Sequence, residues 1–175
     1  ISYSCKRSSF FMRGKILGEI GREAFRKTMG QFCTGVVVAT AFHDKQPIGL
    51  TLQSFVSISL EPLLVAISPG KNSVTWPLIR EVGGFCINIL AQDQQIVCET
   101  MSKSGEDKFT SIEWGPSDKG FPVFPGNIAT IECDVESEYE AGDHTIVIGR
   151  VTDFELNDHE KDPLVFFRGA YGTVI

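Results

Sequence analysis

Short hydroxyl side chains and one amide are concentrated in the segment GLTLQSFVSISLEP, which covers residues 49–62. The polar side chains of this segment are Thr51, Gln53, Ser54, Ser57 and Ser59. A flat heteroaromatic ligand needs this mixture, because apolar groups cover the ring face while small donors and acceptors satisfy its polar edge. The same alternation is typical of a barrel strand with a polar outer face, and the segment taken alone favours that interpretation.

A turn that carries a lysine leads from one predicted strand into a predicted helix. In the segment SPGKNSVTW, Lys71, Asn72 and Ser73 follow Gly70 directly. Backbone N–H groups at a helix start, a lysine charge and a hydroxyl all favour a bound anion such as a phosphate. The alternative is that Asn72 or Ser73 simply caps the helix.

Two further segments place a charged or ring side chain at the end of a loop. EDKFTSIEW carries Lys108 and Phe109, and AGDHTIVIGRV carries Asp143 and His144 where a turn enters an apolar strand. A histidine at a strand mouth can donate to a ligand. The alternatives are a solvated turn with one anchoring aromatic ring, and an Asx turn beside a partly exposed histidine.

The segment PLVFFRGAYG ends a short aromatic strand with Arg168 and Tyr171 around two glycines. Such a segment can close a pocket. The alternative is a C-terminal barrel strand with aromatic packing, in which Arg168 pairs with a surface carboxylate.

The elements that must position these segments are mostly strands. Apolar residues at helical spacing predict an amphipathic helix over residues 21–29, and the β-branched run that follows predicts a hairpin beginning at residues 35–42. Further strands are predicted at residues 55–60, 63–67, 85–90, 128–135, 145–153 and 164–167, and short helices at residues 74–82 and 92–101. This order is not a β-α-β alternation. We therefore predict a mainly β fold, an antiparallel split β-barrel of Greek-key type with a few peripheral helices.

The sequence lacks the common nucleotide-binding fingerprints. No two glycines are spaced G-x-G, and there is no G-x-x-x-x-G-K-[ST] phosphate loop. The polar residues 102–126 are interpreted as a long surface excursion that serves a site. We expect an N-terminal extension over residues 1–20, with Met12 as one candidate for the natural start, and a single domain over residues 21–175.

Composition argues against several classes of protein. The 175 residues carry a net charge of -6, which disfavours nucleic acid as a partner because phosphate binding relies on clustered Lys and Arg. No run approaches the roughly 18 consecutive apolar residues of a membrane span, so we predict no membrane partner. The five cysteines and three scattered histidines give no argument for a disulfide framework or a metal site, and the odd number of cysteines favours a reducing cytoplasm.

Taken in order, these segments resemble the flavin reductase domain family, whose members include the reductase components of two-component monooxygenases. The resemblance runs from FRKTMGQFCTGVVVAT through GLTLQSFVSISLEP, SPGKNSVTW, DKF and GDHTIVIGRV to FFRGAYG. Its most specific parts are the pattern S-F-x-S-x-S and the GDH that precedes a strand. The resemblance implies an FMN-binding split barrel that forms a homodimer, with the flavin near the subunit interface and no separate dinucleotide-binding domain.

The resemblance also implies roles for individual residues. Those that would line the isoalloxazine and the ribityl chain are Thr51, Gln53, Ser54, Phe55 and Ser57. Those that would face the phosphate are Lys71, Asn72 and Ser73, while Lys108 and Phe109 would cover part of the flavin. His144 resembles the family's histidine beside the nicotinamide pocket, and Arg168 with Tyr171 resembles the closing C-terminal segment.

The implied activity is hydride transfer from NADH or NADPH to FMN or FAD, with the reduced flavin delivered to a separate oxygenase component. Two other functions remain open at this point. One is a flavin-binding module without reductase turnover. The other is a flavoenzyme on the same barrel that reduces another acceptor, such as a corrinoid or a ferric complex.

Overall fold

The computed structural model describes residues 21–105, 108–157, 160–172 and 174. The predicted extension over residues 1–20 lies outside the described residues. In chain order the strands are β1 (Thr34–Gly35), β2 (Val37–His43), β3 (Gln46–Leu52), β4 (Val56–Leu60), β5 (Leu63–Ile67), β6 (Gly84–Ile89), β7 (Gly115–Pro116), β8 (Pro122–Val123), β9 (Ala129–Ala141), β10 (His144–Leu156), β11 (Val165–Phe167) and β12 (Ala170–Gly172). The helices are α1 (Arg22–Met29), α2 (Trp76–Val82) and α3 (Gln95–Ser102), with single 3-10 turns at Gln92–Gln94 and Lys108–Thr110.

Seven of these strands form one antiparallel sheet in the order β3-β2-β6-β9-β10-β5-β4. Its edge strands β3 and β4 are not paired with each other among the described residues, so the ring of hydrogen bonds stays open. Leu50 and Leu52 of β3 nevertheless share one buried core with Val65 and Ile67 of β5. The sheet therefore curls around that core, which confirms the predicted mainly β, antiparallel architecture with peripheral helices.

Helix α2 packs into this first core through Trp76 and Ile79, which are 2% and 0% exposed. The helix is short because Pro77 lies in its first turn and Gly83 ends it in the left-handed region, with φ at 78°. The Gly83 N–H donates to the carbonyls of both Ile79 and Arg80. None of the helices among the described residues combines the length and the apolar character that a membrane crossing requires.

A second buried core lies on the other face of β2, because neighbouring side chains of a strand point to opposite faces. Val37 belongs to the first core, whereas Val36 and Val38 belong to the second. The second core also takes in Met101 of α3 and Phe109. Strands β2 and β6, which are buried along most of their length, are thus covered on both sides.

The prediction that residues 102–126 are a surface excursion is only partly correct. Phe109 and Phe124 of this segment are 7% and 1% exposed, and their rings stack with centroids 5.9 Å apart. The segment folds inwards because it satisfies a buried amide of the sheet: Asn88 Oδ1 accepts from the Phe124 N–H at 3.1 Å and from Asn127 Nδ2 at 2.9 Å. A buried amide without partners would destabilise the fold, so this network fixes the path of the excursion.

Helix α1 forms where the apolar spacing predicts it, but none of its residues is buried. Phe25 and Met29 are 59% and 51% exposed. The chain after the helix is fixed by Arg168, whose backbone N–H donates to the Gly30 carbonyl at 3.0 Å and whose Nε donates to Gln31 Oε1 at 2.8 Å. The apolar face of α1 therefore borders open space, not the core of the sheet.

Gly149 of β10 allows the first core to close against the sheet. It stands at a register shift between β9 and β10, and a Cβ added there would lie 2.9 Å from Phe85 Cζ and 3.1 Å from Cys133 Cβ. Both neighbours are buried, so neither ring nor thiol has free space to enter. We expect Gly149→Ala to lower the free energy of unfolding by about 1–3 kcal/mol, as overpacking does elsewhere.

Urea denaturation followed by tryptophan fluorescence measures this change. Gly115→Ala is the matched control, because a Cβ there meets no atom within 4 Å, and we expect it to stay within about 0.5 kcal/mol of the parent protein. Equal free energies of unfolding for the two variants would contradict the packing role of Gly149.

Candidate functional site

A cleft of about 1050 Å³ lies where α1, the end of β3, the turn after β5 and the end of α3 meet. The structure brings together in its lining eight of the residues predicted from the sequence: Thr51, Gln53, Ser54, Asn72, Ser73, Lys108, His144 and Tyr171. Five other predicted residues are not part of this lining: Phe55, Ser57, Lys71, Phe109 and Arg168. The polar residues of the cleft come from parts of the chain up to 120 positions apart, counting from Thr51 to Tyr171.

The tip of the β9–β10 hairpin is docked on the turn after β5 by backbone hydrogen bonds. The Lys71 N–H donates to the Asp143 carbonyl at 2.9 Å, and the Thr145 N–H donates to the Pro69 carbonyl at 3.0 Å. Gly70 and His144 form an isolated antiparallel bridge between these two bonds. The docking places His144 at the side of the turn.

His144 is held in one orientation by its neighbour. Its Nδ1 lies 2.8 Å from Asp143 Oδ1, and an ionised carboxylate can only accept, so Nδ1 is the donor. The hydrogen bond and the charge of His144 lower the pKa of the Asp143 carboxyl. The His144 side chain is 49% exposed. Its Nε2 is left to serve a ligand in the cleft.

The turn after β5 is also ordered from within. The Ser73 N–H donates to the Gly70 carbonyl at 2.9 Å, and Ser73 Oγ accepts from the Trp76 N–H at 3.1 Å. Ser73 thus accepts from the first N–H of α2, although the residue at the N-cap position is Thr75, so neither Asn72 nor Ser73 is the N-cap that the alternative interpretation assigned. Ser73 lines the cleft as well. A Cβ at Gly70 would lie 2.7 Å from Asn72 Oδ1, so only glycine allows the Asn72 amide to fold over this turn.

Lys71 forms a different contact from the one predicted. Its ammonium pairs with Glu140 of β9, and its side chain does not line the cleft. Both side chains are exposed, at 41% and 80%, so this ion pair contributes little to the stability of the fold. In the single chain the pair directs the lysine charge towards the hairpin.

Two hydroxyl side chains, one in β3 and one just after it, form hydrogen bonds between elements that line the cleft. Ser54 Oγ accepts from the Ser68 N–H at 2.8 Å and lies 3.2 Å from the Ser68 carbonyl, to which it donates. Thr51 Oγ1 donates to the Cys98 carbonyl of α3 at 2.9 Å. Each hydroxyl oxygen keeps acceptor capacity for a ligand while it joins two elements of the wall.

Lys108 contributes a partly buried positive charge. Its Nζ donates to the carbonyls of Gly49 and Met101 at 3.1 and 3.0 Å. Burial lowers its pKa. An ammonium has three N–H donors, so these two contacts leave one donor for a ligand. The next residue, Phe109, packs in the second core and so anchors the segment that carries Lys108.

Cys98 and Tyr171 form a neutral pair in the wall of the cleft. Cys98 Sγ lies 3.2 Å from the Tyr171 hydroxyl oxygen. Burial raises the pKa of the Cys98 thiol, and the hydrogen bond with Cys98 raises the pKa of Tyr171 to about 12. Neither group carries a charge near neutral pH, which suits a wall that borders an aromatic ligand.

The remaining predicted residues act elsewhere in the single chain. Phe55 packs against the first core, and Ser57 lines a separate apolar groove together with Phe154 and Leu156. Arg168 occupies the turn between β11 and β12 with φ at 52°, and its guanidinium lies 4.8 Å from the centre of the Phe167 ring. It anchors the chain after α1 and so affects the cleft only indirectly.

Sequence reasoning missed the apolar side of the cleft. Phe25 and Met29 of α1, Cys98 and Met101 of α3, and Phe166 of β11 all belong to its lining. The signal for α1 was present, since its apolar positions recur at helical spacing, but that pattern normally indicates packing against a core. Nothing in the sequence around Cys98 distinguishes it from an ordinary core cysteine.

The lining fits a planar heteroaromatic ligand that carries a phosphate. The lining combines apolar side chains from α1, β3, α3 and β11 with hydroxyls, amides and an ammonium. Ligand pockets in proteins are commonly apolar clefts of about 300–1,000 Å³ with a few placed polar groups, so the size is also suitable. Within residues 21–105, 108–157, 160–172 and 174, no group of three His, Cys, Asp or Glu is close enough to hold a metal ion.

Comparisons with known proteins agree with this chemistry. A family model described as "Flavin reductase like domain" matches residues 29–174. Over 147 residues the chain is 43% identical to the reductase subunit HsaB of a flavin-dependent monooxygenase from Rhodococcus jostii, an alignment that covers 84% of this chain and 75% of the relative.

Solved structures of similar proteins include a monooxygenase component and an NADH:FAD oxidoreductase. A nitrilotriacetate monooxygenase component B homologue from Mycobacterium thermoresistibile is similar with a TM-score of 0.84 and 41% identity, over 87% of this chain and 86% of the other. The NADH:FAD oxidoreductase SgcE6 of Streptomyces globisporus, solved in complex with NAD and FAD fragments, is similar with a TM-score of 0.84 and 29% identity, over 93% of this chain and 98% of the other.

Proposed function

The chain belongs to the flavin reductase-like domain family, and we propose that it is the reductase component of a two-component monooxygenase, using NADH to reduce FMN or FAD for a separate oxygenase. The observation that carries this proposal is the meeting of His144, the turn after β5 and the end of β3 in one cleft. The reductase subunit from Rhodococcus jostii supports the oxygenase partner, and SgcE6 supports NADH as the electron donor.

When bound, the flavin supplies the two-electron acceptor for a hydride from the reduced nicotinamide, and the residues of the chain supply binding and orientation. Gln53 and Ser54 provide polar groups for the edge of the ring system. Asn72 and Ser73 face the phosphate, in a turn whose backbone is already fixed. Phe25 and Met29 cover the apolar face.

His144 is a positioning residue in this proposal. The bond to Asp143 orients its ring, so His144 would offer Nε2 to the nicotinamide with little further loss of side-chain freedom on binding. Lys108 presents its remaining N–H donor and its positive charge to the same cleft. Roles in flavin binding for Phe55, Lys71, Phe109 and Arg168 stay predictions, because these side chains pack or pair outside the cleft lining. The predicted role of Ser57 is tested below against that of Ser54.

We further propose that the protein works as a homodimer in the cytoplasm. The edge strand β4 exposes Val56 and Leu60 at 54% and 83%, and β10 exposes Phe154 and Leu156 at 66% and 65%. Leu60, Phe154 and Leu156 line one groove, and exposed apolar groups that adjoin one another are typical of an interface between protein chains. This surface supports the homodimer that the family resemblance implies.

The reductase activity is tested with the purified protein, NADH and either FMN or FAD under anaerobic conditions. We expect the visible flavin absorbance to bleach much faster than in a mixture without protein, because the cleft holds both rings in contact. Bleaching at the rate of the protein-free mixture would reject the reductase and favour a flavin-binding module. The same assay with an added corrinoid or ferric complex tests the other flavoenzyme function that the sequence left open. Reduction of that acceptor in preference to free flavin would favour that function.

His144→Ala separates the two ligands of the cleft. We expect kcat/KM for NADH to fall about tenfold, the equivalent of one hydrogen bond to the nicotinamide, while the Kd for flavin changes by less than about twofold. Ile146→Ala is the matched control, since Ile146 lies two positions further along β10, is 40% exposed and is not part of the cleft lining. Unchanged NADH kinetics in His144→Ala would show that the nicotinamide assignment is wrong.

Ser54 and Ser57 provide a second matched pair, because the sequence assigned both to the flavin and the structure separates them. Ser54→Ala is expected to raise the Kd for FMN several-fold, by about 2–10 times, through the loss of one polar contact. Ser57→Ala is expected to leave it unchanged, because Ser57 lines the apolar groove on another part of the surface. Titration of flavin fluorescence measures both, and equal losses of affinity would contradict the placement of the flavin in this cleft.

A further inference from the structure

An exposed ion pair stands beside the cleft, at the turn after β5. Lys71 lies in this turn between Gly70 and Asn72, which both line the cleft. Its ammonium pairs with the carboxylate of Glu140, which lies near the end of β9. The pair therefore joins the turn to the hairpin that carries His144.

The backbone of Lys71 is fixed, whereas its side chain is free to exchange partners. The Lys71 N–H donates to the Asp143 carbonyl at 2.9 Å, which keeps the Cα of Lys71 beside the cleft. The two side chains of the ion pair are 41% and 80% exposed, and exposed ion pairs are weak because water screens the charges. A lysine ammonium sits on a flexible four-carbon stem. The ammonium can therefore turn from the hairpin to the neighbouring cleft while the backbone stays in place.

The balance of charge favours a phosphate over Glu140 as the partner of this ammonium. A phosphate monoester carries a charge of about -1.5 to -2 at neutral pH and three acceptor oxygens, whereas a carboxylate carries a single charge. A second carboxylate at the hairpin tip, that of Asp143, already has a partner in His144 Nδ1 at 2.8 Å. Glu140 is thus the carboxylate that a phosphate in the turn has to displace from Lys71.

We propose that Glu140 is a positioning residue that sets the affinity of the cleft for the phosphate of a flavin. It holds the Lys71 ammonium on the hairpin in the free protein and releases it to the phosphate when FMN binds. This inference rests on the proposed function, because it needs a flavin phosphate beside the turn after β5. Each binding event breaks the ion pair, so Glu140 weakens the binding of FMN and has no effect on riboflavin, which lacks the phosphate. The ion pair forms again when the flavin leaves.

The test compares the Kd values for FMN and riboflavin, measured by flavin fluorescence at low ionic strength. In Glu140→Gln we expect the Kd for FMN to fall about two- to fivefold, the range of an exposed ion pair, and the Kd for riboflavin to stay within about 1.5-fold. The gain is expected to shrink at high salt, which screens exposed charges. Glu136→Gln is the matched control, because it removes the same charge from the same strand but from a pair with Arg150, and we expect it to leave both Kd values unchanged.

A double variant separates an effect through Lys71 from direct repulsion of the phosphate. In a Lys71→Met protein, Glu140→Gln is expected to leave the Kd for FMN unchanged, because the ammonium on which Glu140 acts is absent. An equal fall in this Kd with and without Lys71 would overturn the inference. An unchanged Kd for FMN in Glu140→Gln, or an equal fall in Glu136→Gln, would overturn it too. Failure of the proposed function gives a different result, because the parent protein would then bind neither FMN nor riboflavin.

Discussion

The candidate site depends on the docking of one hairpin tip against one turn through backbone atoms. The strands β9 and β10 are 13 residues each, so their shared turn reaches the end of β5, where the Lys71 and Thr145 N–H groups find carbonyl partners. The contact needs no particular side chain at these positions, which leaves Asn72, Ser73 and His144 available to a ligand. The same contact explains why residues about 70 positions apart act as one surface, since hydrogen bonds between backbones hold both segments in register.

The sheet can support this site because its strands β2 and β6 are buried on both faces. Alternate residues of β2 enter two different cores, and the second core fixes α3 and the segment that carries Lys108. Asn88 then links that segment to the sheet through a fully buried amide. The position of the Lys108 ammonium is thus set by the packing of the neighbouring Phe109 in the second core and by hydrogen bonds to the Gly49 and Met101 carbonyls.

Much of the architecture could be predicted because strand and helix periods are local properties of a sequence. The helices and most strands begin and end within a few residues of the predicted positions, and the order of motifs indicated the family. The side chains were harder to place. The polar residues of 49–62 were all assigned to one ligand, but the chain leaves β3 after Leu52 and enters β4 at Val56. Across that change of direction Ser54 stays in the cleft, whereas Phe55 turns to the core and Ser57 to another groove.

Long-range pairing accounts for the other differences, because no local pattern reveals it. Lys71 meets Glu140, which is 69 positions away, and Arg168 meets Gln31, which is 137 positions away. The contribution of α1 to the cleft depends on the second of these contacts. Its amphipathic pattern predicted a helix correctly, yet the apolar face of that helix borders the cleft and not the core.

The attachment of α1 has a consequence for how ligands enter and leave the cleft. No side chain of α1 is buried, and the contacts of Arg168 with Gly30 and Gln31 act just beyond its last turn. Helix α1 therefore lends Phe25 and Met29 to the cleft without being part of either core. Elements with few buried contacts open at a low cost in free energy. A reductase that releases reduced flavin in every catalytic cycle gains from a cleft wall of this kind, because ligand exchange then leaves the folding of the rest of the molecule undisturbed.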